Sequence, residues 1–124
     1  MGAEVHAIDF FQVVKSWEKK INVQMFRLPN KFRLRWESYY MGKINAFYRE
    51  RFDELKPDVI FIYNNELLLP ETLAYFKKNG AKIGFFLGDS PFYTPTNRYY
   101  LQLLDYADTI TTTDSFWIHQ FRKM

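Results

Sequence analysis

Asp89, Ser90 and Pro91 follow directly on Ile83-Gly-Phe-Phe-Leu-Gly88, so an acid and a hydroxyl stand at the end of a run with almost nothing polar in it. A carboxylate in that position can take the proton of a hydroxyl or hold the hydroxyl in place. Gly88 lets the backbone turn closely before it, and Pro91 sets the direction in which the chain leaves. Two amides, Asn64 and Asn65, close a second apolar run, Val59-Ile-Phe-Ile-Tyr63, and Asp114-Ser115 follow the β-branched Thr109-Ile-Thr-Thr-Thr113. Amide donors and acceptors suit sugar hydroxyls. Each residue also has a plainer use: Asp89 in an Asx-turn, the asparagines in ordinary loops, Asp114 as a helix cap. Asp89 is therefore the candidate base, and Asn64, Asn65, Ser90 and Asp114 are candidate binding groups.

The elements that must position these groups alternate. Asp58 to Asn64 predicts a buried parallel strand introduced by Lys56-Pro57. Pro70 to Gly80 predicts a helix, with Pro at its start, Glu71 in its first turn, Lys77 and Lys78 in its last, and Asn79-Gly80 to stop it. A strand over Lys82 to Leu87 comes next. A helix capped by Thr96 follows, with Tyr99, Tyr100, Leu103, Leu104 and Ala107 on one face, then a strand from Thr109 to Thr113 and a last helix through Trp117, Ile118 and Phe121. Upstream, Phe32, Trp36, Tyr40, Ile44, Phe47, Tyr48, Phe52 and Leu55 recur at threes and fours, predicting one long helix from Lys31 to Leu55 capped by Asn30. Glu4 to Ile8 is expected as one more strand, with Asp9 and Gln12 opening a helix.

Strand and helix in alternation predict a single Rossmann-like α/β domain over residues 1–124, its parallel sheet covered by helices on both faces. In such sheets ligands meet the carboxyl ends of the strands. Asp9, Asn64, Asn65, Asp89, Ser90, Asp114 and Ser115 all fall at those ends.

Composition narrows the chemistry. The 124 residues hold no cysteine, 48% are hydrophobic, and no apolar run approaches the ~20 residues of a membrane span, so a cytoplasmic protein without a transmembrane segment is expected. No glycine-rich phosphate loop follows any strand, and His6 and His119 stand far apart, so neither cofactor nor metal is expected. The net charge of +3 is uneven: Lys15 to Lys56 holds eleven Lys or Arg against five Asp or Glu. Interleaved with Phe26, Phe32, Trp36, Tyr39 and Tyr40, that basic stretch suits a solvated helix face, nucleic acid, an anionic membrane or an anionic polymer.

Four segments in order, Lys56-Pro-Asp-Val-Ile-Phe-Ile-Tyr-Asn64, Leu69-Pro-Glu-Thr-Leu73, Gly84-Phe-Phe-Leu-Gly-Asp-Ser-Pro91 and Tyr106-Ala-Asp-Thr-Ile-Thr-Thr-Thr-Asp-Ser-Phe-Trp117, resemble the N-terminal domain of the CgeB-like (spore maturation protein B) glycosyltransferases. The resemblance spans residues 56–117, and Glu4 to Asp9 more loosely. It implies half of a GT-B architecture, in which two Rossmann-like domains face each other across a cleft. The N-terminal one meets the acceptor, and the other holds the nucleotide sugar. Asp89 to Pro91 match the family's Asp-x-Pro signature, and Asn64 and Asp114 match polar positions at neighbouring strand ends. The resemblance also implies that a first strand and the whole donor domain are missing, so the chain is expected to be inactive alone and to self-associate through open sheet edges.

The leading expectation is thus the acceptor-side domain of a glycosyltransferase, acting on a glycan or other hydroxyl acceptor with a nucleotide sugar brought by the absent domain. A non-catalytic glycan- or protein-binding module of the same fold is the alternative, and single-stranded nucleic-acid binding a third.

Overall fold

Helix ends are written clearly into this chain, and a computed structural model, which describes residues 2–63, 67–88, 99–113, 119 and 122–123, puts them close to where the residues ask for them. A 26-residue helix, α2, runs Asn30–Leu55 and stops at Lys56, whose φ of 46° is left-handed and whose N–H donates to the Phe52 carbonyl at 2.7 Å. Pro57 then bars any continuation. Ahead of α2, Asp9 caps a single 3-10 turn, Phe10–Gln12, its Oδ1 accepting from the Phe11 N–H at 2.9 Å. Helix α1 (Ser16–Gln24) and a 3-10 turn (Met25–Arg27) follow. Beyond α2 come strand β1 (Val59–Tyr63), helix α3 (Pro70–Lys78), strand β2 (Lys82–Leu87), helix α4 (Tyr100–Leu103) continued by a 3-10 turn (Leu104–Tyr106), and strand β3 (Thr109–Thr112). Pro70 opens α3, and Gly80, at φ 91°, supplies the left-handed residue just past its end.

The three strands form one sheet in the order β1-β2-β3, parallel throughout. Strands taken in sequence order require each crossover to step the same way, and right-handed crossovers then carry every helix over one face. The core accordingly lies on that face. Ile62, Ile83, Phe85 and Leu87 meet Tyr40, Ile44, Tyr48 and Phe52 of α2, Leu73 and Phe76 of α3, and Leu103 of α4. Phe52 stacks on Phe76 with ring centres 4.7 Å apart.

Helices were expected on both faces, and among the described residues they cover only one. Val59, Phe61 and Tyr63 are 63–66% exposed on the other. There the Phe61 ring lies over Gly84, where a Cβ would come within 3.4 Å of it. The expected strand Glu4 to Ile8 is not a strand either: residues 2–9 have no regular structure, and residues 2–7 are exposed. With a period of two, Val5 and Ile8 point to opposite faces, so neither face of such a strand has enough apolar surface to offset its ordering. A local pairing, His6 to Glu4 at 3.0 Å, links two of its residues. Asp9 starts one 3-10 turn where a helix was expected, and the regular helix begins at Ser16. Asn30, expected to cap α2, is instead its first helical residue, behind Pro29, and makes no side-chain cap. Thr96 lies outside the described residues, as does nearly all of the expected last helix.

Candidate functional site

Register decides where a ligand edge can be. Tyr63 pairs with Phe86, and Leu87 with Thr112, so the chain leaves all three strands at the same edge of the sheet. Asn64 and Asn65, Asp89 and Ser90, and Asp114 follow these strand ends in sequence by one to three residues. All five lie outside the described residues. On the strands themselves, the edge carries Tyr63 stacked on Phe86, ring centres 5.3 Å apart and planes 11° from parallel, on the face without helices. Beneath it Leu87 is buried and Gly88 is half-buried.

One buried amide anchors the way back from this edge. Asn45, on α2, is fully buried; its Nδ2 donates to the Met41 carbonyl at 2.8 Å and the Leu67 carbonyl at 2.7 Å, while its Oδ1 accepts from the Leu69 N–H at 2.9 Å. The segment between β1 and α3 is thereby fixed at both Leu67 and Leu69, immediately before Pro70. Satisfying three backbone partners at zero exposure makes Asn45 a positioning residue for the β1 loop, held too tightly to serve a ligand itself.

At the opposite edge Asp108 ties β3 to the start of β2. Its N–H donates to the Ile83 carbonyl at 2.7 Å, its Oδ2 accepts from the Ile83 N–H at 2.8 Å, and the Lys77 ammonium sits 3.0 Å from Oδ1. The Ile83 N–H first, and Lys77 second, hold this carboxyl below its ordinary value. Lys77 also donates to the Tyr106 carbonyl at 3.2 Å, which secures α3 to the segment entering β3.

The strongest electrostatic cluster joins α1 to α2. Glu18 is wholly buried; Lys43 Nζ stands 2.9 Å from each carboxylate oxygen, the Tyr39 hydroxyl donates at 2.6 Å, and the Lys15 N–H at 2.7 Å. Lys43 first, then Tyr39 and the Lys15 N–H, lower the Glu18 carboxyl from 4.5 to about 2. Glu18 in turn raises both Lys43 and Tyr39. A carboxylate that acidic, with its lone pairs taken, is a poor proton acceptor at neutral pH and serves as a clasp. Nearby, Trp36 Nε1 donates to Asn22 Oδ1 at 3.0 Å, so the two helices run as an antiparallel hairpin.

Of these anchors only Asn45 left a trace in the sequence, as a polar residue on the apolar stripe between Met41 and Tyr48. Glu18 and Lys43 are 25 residues apart, and Asp108 and Ile83 likewise, with no local pattern joining them. Among the described residues no cluster of three or more His, Asp or Glu could hold a metal, and no helix is long and apolar enough to cross a membrane. Compared with protein-family models, with curated proteins and with solved structures, the chain matches none.

Proposed function

We propose that this chain is the acceptor-side domain of a glycosyltransferase, binding a hydroxyl-bearing acceptor along the carboxyl edge of its sheet. The observation that supports the reading is the register: three parallel strands end together, each followed in sequence by amide, carboxylate or hydroxyl side chains. A short apolar strand followed by an acid is common; three such exits brought to one edge are what an acceptor with several hydroxyls needs. Asp89 is the proposed base, and Asn64, Asn65, Ser90 and Asp114 the groups that hold the acceptor. In a GT-B enzyme a second domain would close the cleft and bring the nucleotide sugar. The ordered motifs resembling the CgeB-like glycosyltransferases support the same reading.

Amide shifts measured during titration with a panel of oligosaccharides test it. Perturbation should centre on Tyr63, Gly88 and Thr113, the described residues nearest the proposed groups, while nucleotide sugars alone leave them unmoved. Shifts confined to the helices, or none with any glycan, would overturn the reading. Where the chain works beside a donor-binding domain, Asp89→Asn should lower turnover ~10²- to 10⁴-fold and leave acceptor binding nearly intact. The alternative, a non-catalytic module of the same fold, is favoured by the bare face of Val59, Phe61 and Tyr63, which suits a protein partner. Parent-like turnover in the Asn variant would exclude Asp89 as the base.

A further inference from the structure

Helix α2 is far longer than the sheet it covers. At 1.5 Å per residue its 26 residues extend about 39 Å, yet its buried residues begin at Tyr40. Of residues 30–39 only Trp36 and Glu37 are even partly covered. The first part of α2 therefore overhangs the core, braced by α1 through the Glu18–Lys43 clasp and the Asn22–Trp36 hydrogen bond. At the end of this hairpin large apolar side chains stand in solvent: Val23 at 62%, Phe26 at 65%, Leu28 at 44% and Phe32 at 55%. An apolar groove of about 680 Å³ runs back from them between Trp17 and Trp36, with Arg35 on its lining. Residues 19–35 carry six Lys or Arg and no Asp or Glu.

We infer that the α1–α2 hairpin docks the protein on an anionic lipid surface. A projecting tip that exposes apolar and aromatic side chains, ringed by cations with no acid among them, complements a surface that is negative at its headgroups and apolar beneath them. Trp17, Trp36 and Tyr39 along the hairpin are the amphipathic ring types that favour that boundary. Single-stranded nucleic acid also pairs cations with aromatics, but Val23 and Leu28 offer no ring for a base to stack on. Neither helix of the hairpin is apolar enough to span the bilayer, so the hairpin lies on the surface.

Co-sedimentation of the full chain with vesicles of equal parts phosphatidylglycerol and phosphatidylcholine, against phosphatidylcholine alone, tests the inference. The chain should partition to the anionic vesicles and on the order of tenfold less to the neutral ones. Phe26→Ser with Phe32→Ser, both exposed, should lower partition on the order of tenfold or more with helical circular dichroism unchanged. Arg33→Gln with Arg35→Gln, both exposed, should also weaken it. Phe61→Ser, on the bare sheet face, should leave partition as in the parent. The inference is overturned by absence of binding to anionic vesicles, by equal binding to both kinds, by parent-like binding of either hairpin variant, or by loss of binding in Phe61→Ser. Tight binding of a single-stranded oligonucleotide at concentrations where vesicles do not bind would overturn it in favour of nucleic acid.

Discussion

Ile62, Ile83, Phe85 and Leu87 face the helices and are at most 5% exposed, whereas Val59, Phe61 and Tyr63, which flank and alternate with Ile60 and Ile62 along β1, are 63–66% exposed. The two sets are equally apolar, so composition does not separate them. What separates them is the strand order: β1-β2-β3 in sequence sends α3 and α4 over the same face, and α2 packs beside α3 there. An apolar strand residue thus announces a wish for burial, while the winding of the chain decides which half of those residues obtain it. Among the described residues nothing pairs with the outer edge of β1 or covers the face of Val59, Phe61 and Tyr63.

The two faces should respond very differently when one residue from each is cut back. Phe85→Ala on the helical face should cost ~3–5 kcal/mol, and Phe61→Ala on the bare face within about 0.5 kcal/mol, both read from urea denaturation. Equal losses would mean that the bare face is covered in solution, and a concentration-dependent midpoint for the parent would then identify a second copy as the cover.

A smaller effect sharpens the contrast on the helical side, where polar burial has to be satisfied. Asn45→Ala leaves the Leu67 carbonyl and the Leu69 N–H without their side-chain partner, and should cost about 1–3 kcal/mol. Exchange of the Leu69 amide should quicken more than that of Phe85 in the same variant. Uniform quickening would show that Asn45 holds the whole core rather than the β1 loop.

The hairpin, outside both faces, responds to pH. Folding lowers the Glu18 carboxyl from 4.5 to about 2, so its contribution to stability is complete above pH 4.5 and is lost as pH falls toward 2. Folding raises Lys43, so that contribution is complete below its ordinary value of 10.5 and is lost as pH rises through the folded value. Glu18→Gln should flatten the acid limb of a melting-temperature profile between pH 4.5 and pH 2, leaving the share of Asp108, whose carboxyl is also lowered. An unchanged acid limb would mean that the clasp is open in solution.

The least effect is expected at Gly84. A Cβ there would meet the Phe61 ring at 3.4 Å, an ordinary contact with a side chain that is free to shift toward solvent. Gly84→Ala should change stability by less than about 1 kcal/mol, and in the stabilising direction through the unfolded chain. A larger loss would show that Phe61 is held in place by something on the bare face.

Much of this architecture was legible residue by residue. The extents of α2, α3 and β2 came from Pro57, Pro70, Gly80 and the apolar period between them, because φ restriction and amphipathic spacing act within a few residues. The reading failed where the signal was equally local but the outcome was not. Glu4 to Ile8 has strand-forming residues without a face to bury, and α1 is fastened to α2 by Glu18, whose partners Lys43 and Tyr39 lie more than 20 residues away. The strand ends were legible too, and the register of β1 to β3 brings Tyr63, Leu87 and Thr112 to one edge; Asn64, Asp89 and Asp114, which follow them in sequence, lie outside the described residues.

By itself, then, the sequence determined where α2, α3 and the three strands of the sheet lie, and that a basic stretch lies ahead of the sheet, since each follows from interactions between near neighbours in the chain. Only the tertiary structure decided that, among the described residues, helices cover one face of the sheet, that Asn45 anchors the β1 loop, that Asp108 ties β3 to β2, and that the basic stretch becomes a hairpin. Those outcomes depend on partners 22 to 25 residues apart and on the direction in which successive crossovers wind. Neither is encoded within the reach of a single turn or strand.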